Sequence, residues 1–170
     1  MLKAHAFFVA VIFVCGCEPR AMNEEMKKKA FGGADNFELM NVASTVTACR
    51  LKHEEAAGRY VEPSEYEEGD FTTASSAQVD RLKTVLADPT TYLVGGAKTC
   101  GHPIYGVRLR FQAHDGTIDL NLCFKCDDLA ATRDGKLVGA ADFHRARRKL
   151  VTLCKELFPN DAEIQNLNER

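Results

Sequence analysis

Two cysteines separated by two residues stand in the stretch 120–128, LNLCFKCDD. The spacing of Cys123 and Cys126 suits a redox couple, half of a zinc site or one end of a structural disulfide. A redox couple of the thioredoxin kind needs a helix that begins at the first cysteine and lowers its pKa. No helical pattern follows here, and the carboxylates of Asp127 and Asp128 would raise the pKa of a neighbouring thiol. The sequence therefore favours a non-catalytic role for the pair.

Two further side chains extend this set toward a metal site. Cys100 and His102 form a Cys-x-His pair, and with Cys123 and Cys126 they give four possible zinc ligands. The first spacing is tighter than is usual for zinc, and the second pair lies in a predicted strand. We therefore expect a structural disulfide from Cys100 to Cys123 or Cys126, with no metal and no cofactor. The zinc site, or a redox site built from the three cysteines, is the alternative.

The N-terminus predicts export. The first seventeen residues read MLKAHAFFVAVIFVCGC, with Lys3 before an apolar run over 6–14. Such a run is too short to span a bilayer and is typical of a signal peptide. Val14-Cys15-Gly16-Cys17 resembles a bacterial lipobox, which implies removal of residues 1–16 and lipidation of Cys17. An ordinary secretory signal is the alternative. Both readings place the mature chain outside the cytoplasm, where disulfides persist.

Composition, charge and length limit the functions and the number of domains that the rest of the chain can have. The 170 residues carry a formal net charge of -2, which gives no indication of nucleic-acid binding. Residues 17–36 are charged and contain Gly32-Gly33, so we predict a lipidated tether, in which 23–31 could form a short solvated helix. Residues 37–170 are long enough for one domain with a sizeable core. The expected partners are the membrane, through the N-terminal lipid, and an envelope protein.

Local patterns predict an α+β domain with two or three helices packed on one face of an antiparallel sheet. Residues 44–51 are rich in β-forming types and predict a strand. Ser75 and Gln78 form a capping box for a helix that ends before Pro89. A C-terminal helix is expected from Asp142 to Pro159. Its apolar face comprises Phe143, Ala146, Leu150, Leu153, Cys154 and Leu157.

A three-strand meander is predicted between these helices, at about 104–141. Asp115-Gly116 and Asp134-Gly135 each stand between apolar runs, and Asp-Gly is typical of type I′ hairpin turns. The predicted strands are 104–113, 117–132 and 136–141.

The first of these turns fixes a register. A loop at Asp115-Gly116 places Leu109 opposite Leu122 on an apolar face, and Arg108 opposite Cys123 on the polar face. The apolar positions change parity further along, from 118–124 to Leu129 and Ala131. We therefore expect a β-bulge within 124–128.

The second half of the chain carries a wider pattern. It consists of Cys100, Pro103, Gly106-Val107-Arg108, the stretch 119–126, Leu157-Phe158-Pro159, Asp161 and Ile164. From Tyr92 onward this resembles a group of exported bacterial lipoproteins with no known activity. The resemblance implies that Cys100, Cys123 and Cys126 act as a set, and it implies no substrate. The sequence thus predicts an anchored, extracytoplasmic, non-catalytic lipoprotein of the bacterial cell envelope.

Overall fold

An antiparallel sheet with helices on one face forms the framework. The computed structural model describes residues 21–52, 61–93 and 103–169. The helices of this part are α1 (Glu24–Phe31), α2 (Ala34–Val42), α3 (Ser76–Ala87), α4 (Arg147–Leu157) and α5 (Ala162–Gln165). The strands are β1 (Thr45–Lys52), β2 (Glu67–Glu68), β3 (Thr72–Thr73), β4 (Val107–Ala113), β5 (Gly116–Cys123), β6 (Asp128–Arg133) and β7 (Lys136–Asp142). They pair antiparallel in the order β2-β1-β4-β5-β6-β7, and β3 also pairs with β1. The predicted α+β class is confirmed.

The main core lies between the sheet and the helices, on the side that we call the helix face. Every second residue of the central strands points into it. The strand residues buried there are Val46, Ala48, Val107, Leu109, Phe111, Ile118, Leu120, Leu122, Leu129 and Ala131. All five described helices contribute buried side chains to the same cluster, more than the two or three predicted. None of the helices in the described ranges has the length and apolarity needed to cross a membrane.

Helix α1 extends the folded region toward the N-terminus. Asn23 caps it, since its side chain accepts a hydrogen bond from the Met26 amide at 2.9 Å. Gly32 ends it in the left-handed conformation, with φ of 79°. Met26 and Phe31 are buried in the main core. The tether predicted for 17–36 is therefore wrong over its described part, which packs against the sheet.

Most elements predicted from local patterns are confirmed. The strand expected over 44–51 is β1. Helix α3 begins at the capping box of Ser75 and Gln78 and ends just before Pro89. Its apolar residues at helical spacing, Val79, Leu82, Val85 and Leu86, are all buried. Each of these predictions depended only on residues close together in the chain.

The two Asp-Gly turns behave differently. Asp134 and Gly135 have φ of 51° and 73°, as a type I′ turn requires, and join β6 to β7. In the first turn only Gly116 has positive φ, and it already pairs with Ala113 as the first residue of β5. Leu109 consequently faces Leu120, two residues from the predicted partner. A shift of two residues keeps the apolar set on the same face of the sheet.

The predicted strand 117–132 is two strands. β5 ends at Cys123, residues 124–127 form a turn, and β6 returns from Asp128. Leu122 faces Leu129 across this hairpin, so both lie on the helix face. The change of parity thus comes from a chain reversal, and the predicted bulge within 124–128 is wrong. A bulge does occur elsewhere, where β7 pairs with Ala131 of β6 and the residue after it.

The C-terminal helix starts with a tighter turn than predicted. Residues 144–146 form a 3₁₀ turn before α4, and the Asp142 carboxylate accepts a hydrogen bond from the His144 amide at 2.7 Å. All six side chains of the predicted apolar face are buried. The helix ends at Leu157, before Pro159. This helix places His144 and Arg147 beside the turn that carries the cysteines.

Candidate thiol site at the turn between strands five and six

The two thiols of the Cys-x-x-Cys motif meet at a hairpin turn. Cys123 is the last residue of β5 and pairs with Asp128, and Cys126 lies in the intervening turn 124–127. Their Sγ atoms are 3.1 Å apart. A regular strand would direct residues three apart to opposite faces. The predicted strand 117–132 would therefore have kept the two thiols apart, and it is wrong here because the chain reverses between them.

The turn is fixed by its own backbone and by α4. Asp127 has φ of 55°, in the left-handed region that aspartate tolerates better than most residues. Its carbonyl accepts a hydrogen bond from the Phe143 amide at 2.8 Å. Arg147, which is buried, donates to the Phe124 carbonyl and to the Asp127 carboxylate. The other oxygen of that carboxylate lies 2.8 Å from Nδ1 of His144.

These contacts form a clamp, by which we mean Asp127, His144 and Arg147. The guanidinium of Arg147 loses most of its hydration but gains an ionised partner, which offsets the cost of its burial. The sequence prediction missed the clamp because its members lie in separate elements. The sequence did contain an indication of it. Because a tight turn joins β6 to β7, the residue after β7 must lie beside the residue before β6.

The two thiols differ in burial. Cys123 is 0% exposed, whereas Cys126 is partly exposed. Cys123 belongs to a small apolar group on the sheet face opposite the helices, and Cys126 packs against that group. We call this opposite side the second face, and its apolar group is made of Cys49, Leu51, Val61, Tyr66, Tyr105, Cys123 and Ala130. Of these two thiols, only Cys126 is therefore accessible to a reagent in solution.

Other described thiols are poor nucleophiles. Burial raises the pKa of Cys49 to about 11, and the nearby Glu68 carboxylate adds to the rise. Cys154 lies among the helices, and burial raises its pKa to about 12. Both remain protonated near neutral pH, and the thiolate is the reactive form. No disulfide joins any two of the cysteines in the described ranges.

The predicted polar face of the hairpin is covered, and its arginines are paired. Arg108 faces Asn121 across the ladder instead of Cys123. Its Nε donates to the Asn121 side chain at 2.8 Å, and its two terminal nitrogens donate to Glu68 and to the Pro63 carbonyl. The segment 61–68, which contains β2, covers this face.

Arg110 is held in the same way. It makes two hydrogen bonds to the Asp119 carboxylate, at 2.8 and 2.9 Å, and a third to Glu68 at 3.0 Å. The bonds to Asp119 raise the pKa of Arg110 further above its ordinary value. Its guanidinium also lies 4.9 Å from the ring centre of Phe71, an exposed aromatic residue. The acidic stretch around Glu68 thus contributes ion pairs to the sheet.

Three predicted site residues, Cys17, Cys100 and His102, lie outside the described residues. The lipidation at Cys17, the disulfide from Cys100 and the four-ligand zinc site therefore stay predictions. Within the described ranges, no group of three or more His, Cys, Asp or Glu side chains is arranged to hold a metal. The structure does bring together the two cysteines that both alternatives share.

Known proteins provide no guide to this arrangement. Comparison of the chain with models of protein families, with curated proteins and with solved structures gives no match.

Proposed function

We propose that this chain is a lipid-anchored, extracytoplasmic protein of the bacterial cell envelope with a non-catalytic binding or interaction role. Its anchor would be the lipid on Cys17. The packed part of the chain includes Met22, only five residues after Cys17 (22 - 17 = 5). Five residues span at most about 18 Å, so the anchored domain would stay close to the membrane surface.

The contact between Cys123 and Cys126 is the main support for a structural role of these thiols. Their sulfurs lie 3.1 Å apart on a turn that is held by buried Arg147. A turn fixed in this way suits a fastener better than a moving catalytic group. In an oxidising compartment, a structural disulfide drawn from Cys100, Cys123 and Cys126 would persist. The pairing of Arg108 and Arg110 with acids supports a structural role for the neighbouring polar groups as well.

Lipidation is tested by expressing the full chain in a bacterium supplied with labelled palmitate. The wild-type protein should carry the label and sediment with membranes, because several acyl chains anchor a protein firmly. Cys17→Ser should lose both properties. Cys15→Ser is the matched control and should keep them, since residue 15 belongs to the predicted signal peptide. Label that survives in Cys17→Ser would contradict the anchor.

A second candidate function is favoured by the same turn. One objection to zinc was that Cys123 and Cys126 would lie within a strand, and they lie on a turn instead. A site of Cys100, His102, Cys123 and Cys126 would then bind zinc through thiolate and imidazole ligands. Metal analysis of protein purified without chelators tests it. One bound zinc that is lost in Cys126→Ser and kept in Cys154→Ser would establish a metal protein and overturn the structural disulfide.

A further inference from the structure

We propose that Cys123 and Cys126 form a reversible disulfide with each other, and that Cys126 is the thiol that exchanges with an outside disulfide. The proposal deepens the function proposed above and rests on it, because the extracytoplasmic location would supply the oxidising compartment that the disulfide needs. It names a redox modification site within a single turn of the chain. It also replaces Cys100 as the expected partner of either cysteine.

The short distance between the two Sγ atoms shows that a disulfide could form between them. A disulfide bond is about 2.05 Å long, so the two Sγ atoms, now 3.1 Å apart, need to approach by only about 1 Å. Residues that stand three apart around a tight turn have Cα atoms within roughly 7 Å, near the range that a disulfide allows. The bond can therefore form within the turn and needs no rearrangement of the sheet.

The difference in burial assigns the roles. Cys126 is partly exposed and can meet a disulfide from solution, whereas Cys123 is fully buried behind it. Exchange requires in-line access of a thiolate to one sulfur of the incoming disulfide. Cys123 lacks that access, but it lies in contact with the sulfur of Cys126. It is therefore placed to complete the exchange and not to begin it.

The chemistry balances with a low-molecular-weight disulfide as the oxidant. The Cys126 thiolate attacks one sulfur of the oxidant, forms a mixed disulfide and releases one thiolate. The Cys123 sulfur then attacks Sγ of Cys126 and breaks the mixed disulfide, and the departing thiolate takes up the proton of Cys123 and leaves as a thiol. The protein loses two electrons and two protons, and the oxidant becomes two thiols. A dithiol reductant reverses both steps.

The surroundings keep the change local. The backbone of the turn is held through the Phe124 carbonyl and the Asp127 carboxylate, and neither group takes part in the exchange. Cys49 belongs to the same apolar group as Cys123, but burial leaves it protonated near neutral pH. Opening and closing of the disulfide would thus alter the turn and the small cluster beneath it.

Trypsin digestion distinguishes the possible partners, because the enzyme cleaves after Lys125 and so separates the two cysteines. The full-length protein is oxidised with glutathione disulfide, alkylated, digested without reductant and analysed by mass spectrometry. The proposal predicts that peptide 111–125 is linked to peptide 126–133. A link from peptide 99–108 to either of them would overturn it, yet leave the proposed structural disulfide standing.

The order of attack is tested with two variants in the same experiment. Cys123→Ala should accumulate one glutathione on peptide 126–133, because nothing displaces it. Cys126→Ala should show no glutathione on peptide 111–125 over the same time, since Cys123 is buried. The reverse pattern would overturn the assigned roles. Circular dichroism of both variants checks the fold, and a wild-type sample quenched early should show the transient adduct on 126–133 in any case.

Discussion

The two faces of the sheet differ in what they bury and in what covers them. The helix face is lined by aliphatic and aromatic side chains and covered by helices. The second face mixes thiols, tyrosines and charged groups, and much of it is covered by the segment 61–68. Arg108 and Asn121 are buried there and hydrogen-bonded to each other, next to an apolar group that includes Cys123.

The helix face contributes most of the stability of the fold, whereas the second face holds the reactive groups. Burial of apolar surface is the dominant favourable contribution to folding, and the helix face has most of it. Buried charges contribute little net stability, because their pairing only offsets the cost of desolvation. The second face can therefore carry polar groups that add little net stability as intact pairs, although the loss of one partner of a buried pair is costly. The partly exposed thiol of Cys126 packs at its edge.

The largest expected effect is the loss of a ring from the helix face. Phe111→Ala should lower the free energy of unfolding by about 3–5 kcal/mol, because Phe111 is fully buried and a cavity would remain. Its neighbour Gln112 is exposed on the other side of β4, and Gln112→Ala should stay within about 0.5 kcal/mol of wild type. Urea denaturation measures both, and equal losses would refute the assignment of the faces.

A smaller effect is expected from the ion pairs of the second face. Arg108→Met should cost about 1–3 kcal/mol, since Asn121 and the Pro63 carbonyl lose their donor in a buried place. Arg110→Met is the matched control on the same strand. Its side chain is 26% exposed, so water can replace it and the loss should be smaller. A larger loss for Arg110→Met in the same urea experiment would contradict this ranking.

The capping box of α3 should contribute less to the free energy of unfolding than the ion pairs of the second face. Ser75→Ala removes the side chain that accepts a hydrogen bond from the Gln78 amide, and a loss of about 1 kcal/mol is expected. Ser76→Ala changes the neighbouring serine, which is the first residue of the helix and not its cap. It should leave the midpoint of thermal unfolding almost unchanged. If both variants shift the midpoint equally, the cap is not the cause.

Ionisation of the buried thiol of Cys154 should leave stability unchanged near neutral pH and should lower it increasingly in alkali. Burial raises the pKa of Cys154 from 9.0 to about 12, so the unfolded chain loses its proton first as pH rises. The contribution of this thiol to stability is complete below pH 9 and is lost between pH 9 and 12. Cys154→Ala should therefore show a shallower decline in unfolding free energy over that range. Equal slopes for the two proteins would contradict the protonated, buried thiol.

Sequence patterns predicted the elements that depend on near neighbours. The capping box at Ser75, the type I′ turn at Asp134-Gly135 and the apolar face of α4 were all recognisable, because each is specified within a few residues. A short helix over 23–31 was recognisable as well, but its glutamates and lysines suggested a solvated segment, and the burial of Met26 and Phe31 was missed.

The thiol site depended on contacts between distant residues. The predicted strand 117–132 was far longer than the usual five or six residues, which could have indicated a turn within it. Nothing local showed that Asp127 would take positive φ or that Arg147 would hold the turn. Those features follow from the hairpin of β6 and β7, which returns the chain to the same place.

Amide hydrogen exchange of the oxidised and reduced protein tests the separation of the two faces most directly. Reduction should speed exchange in the turn 124–127 and in the covering segment 61–68, while protection of α1, α3 and α4 stays unchanged. Cys126→Ser should show no dependence on reductant. If reduction instead lowers the protection of the helices to the same degree, the thiol turn stabilises the whole fold and the two faces are not separate.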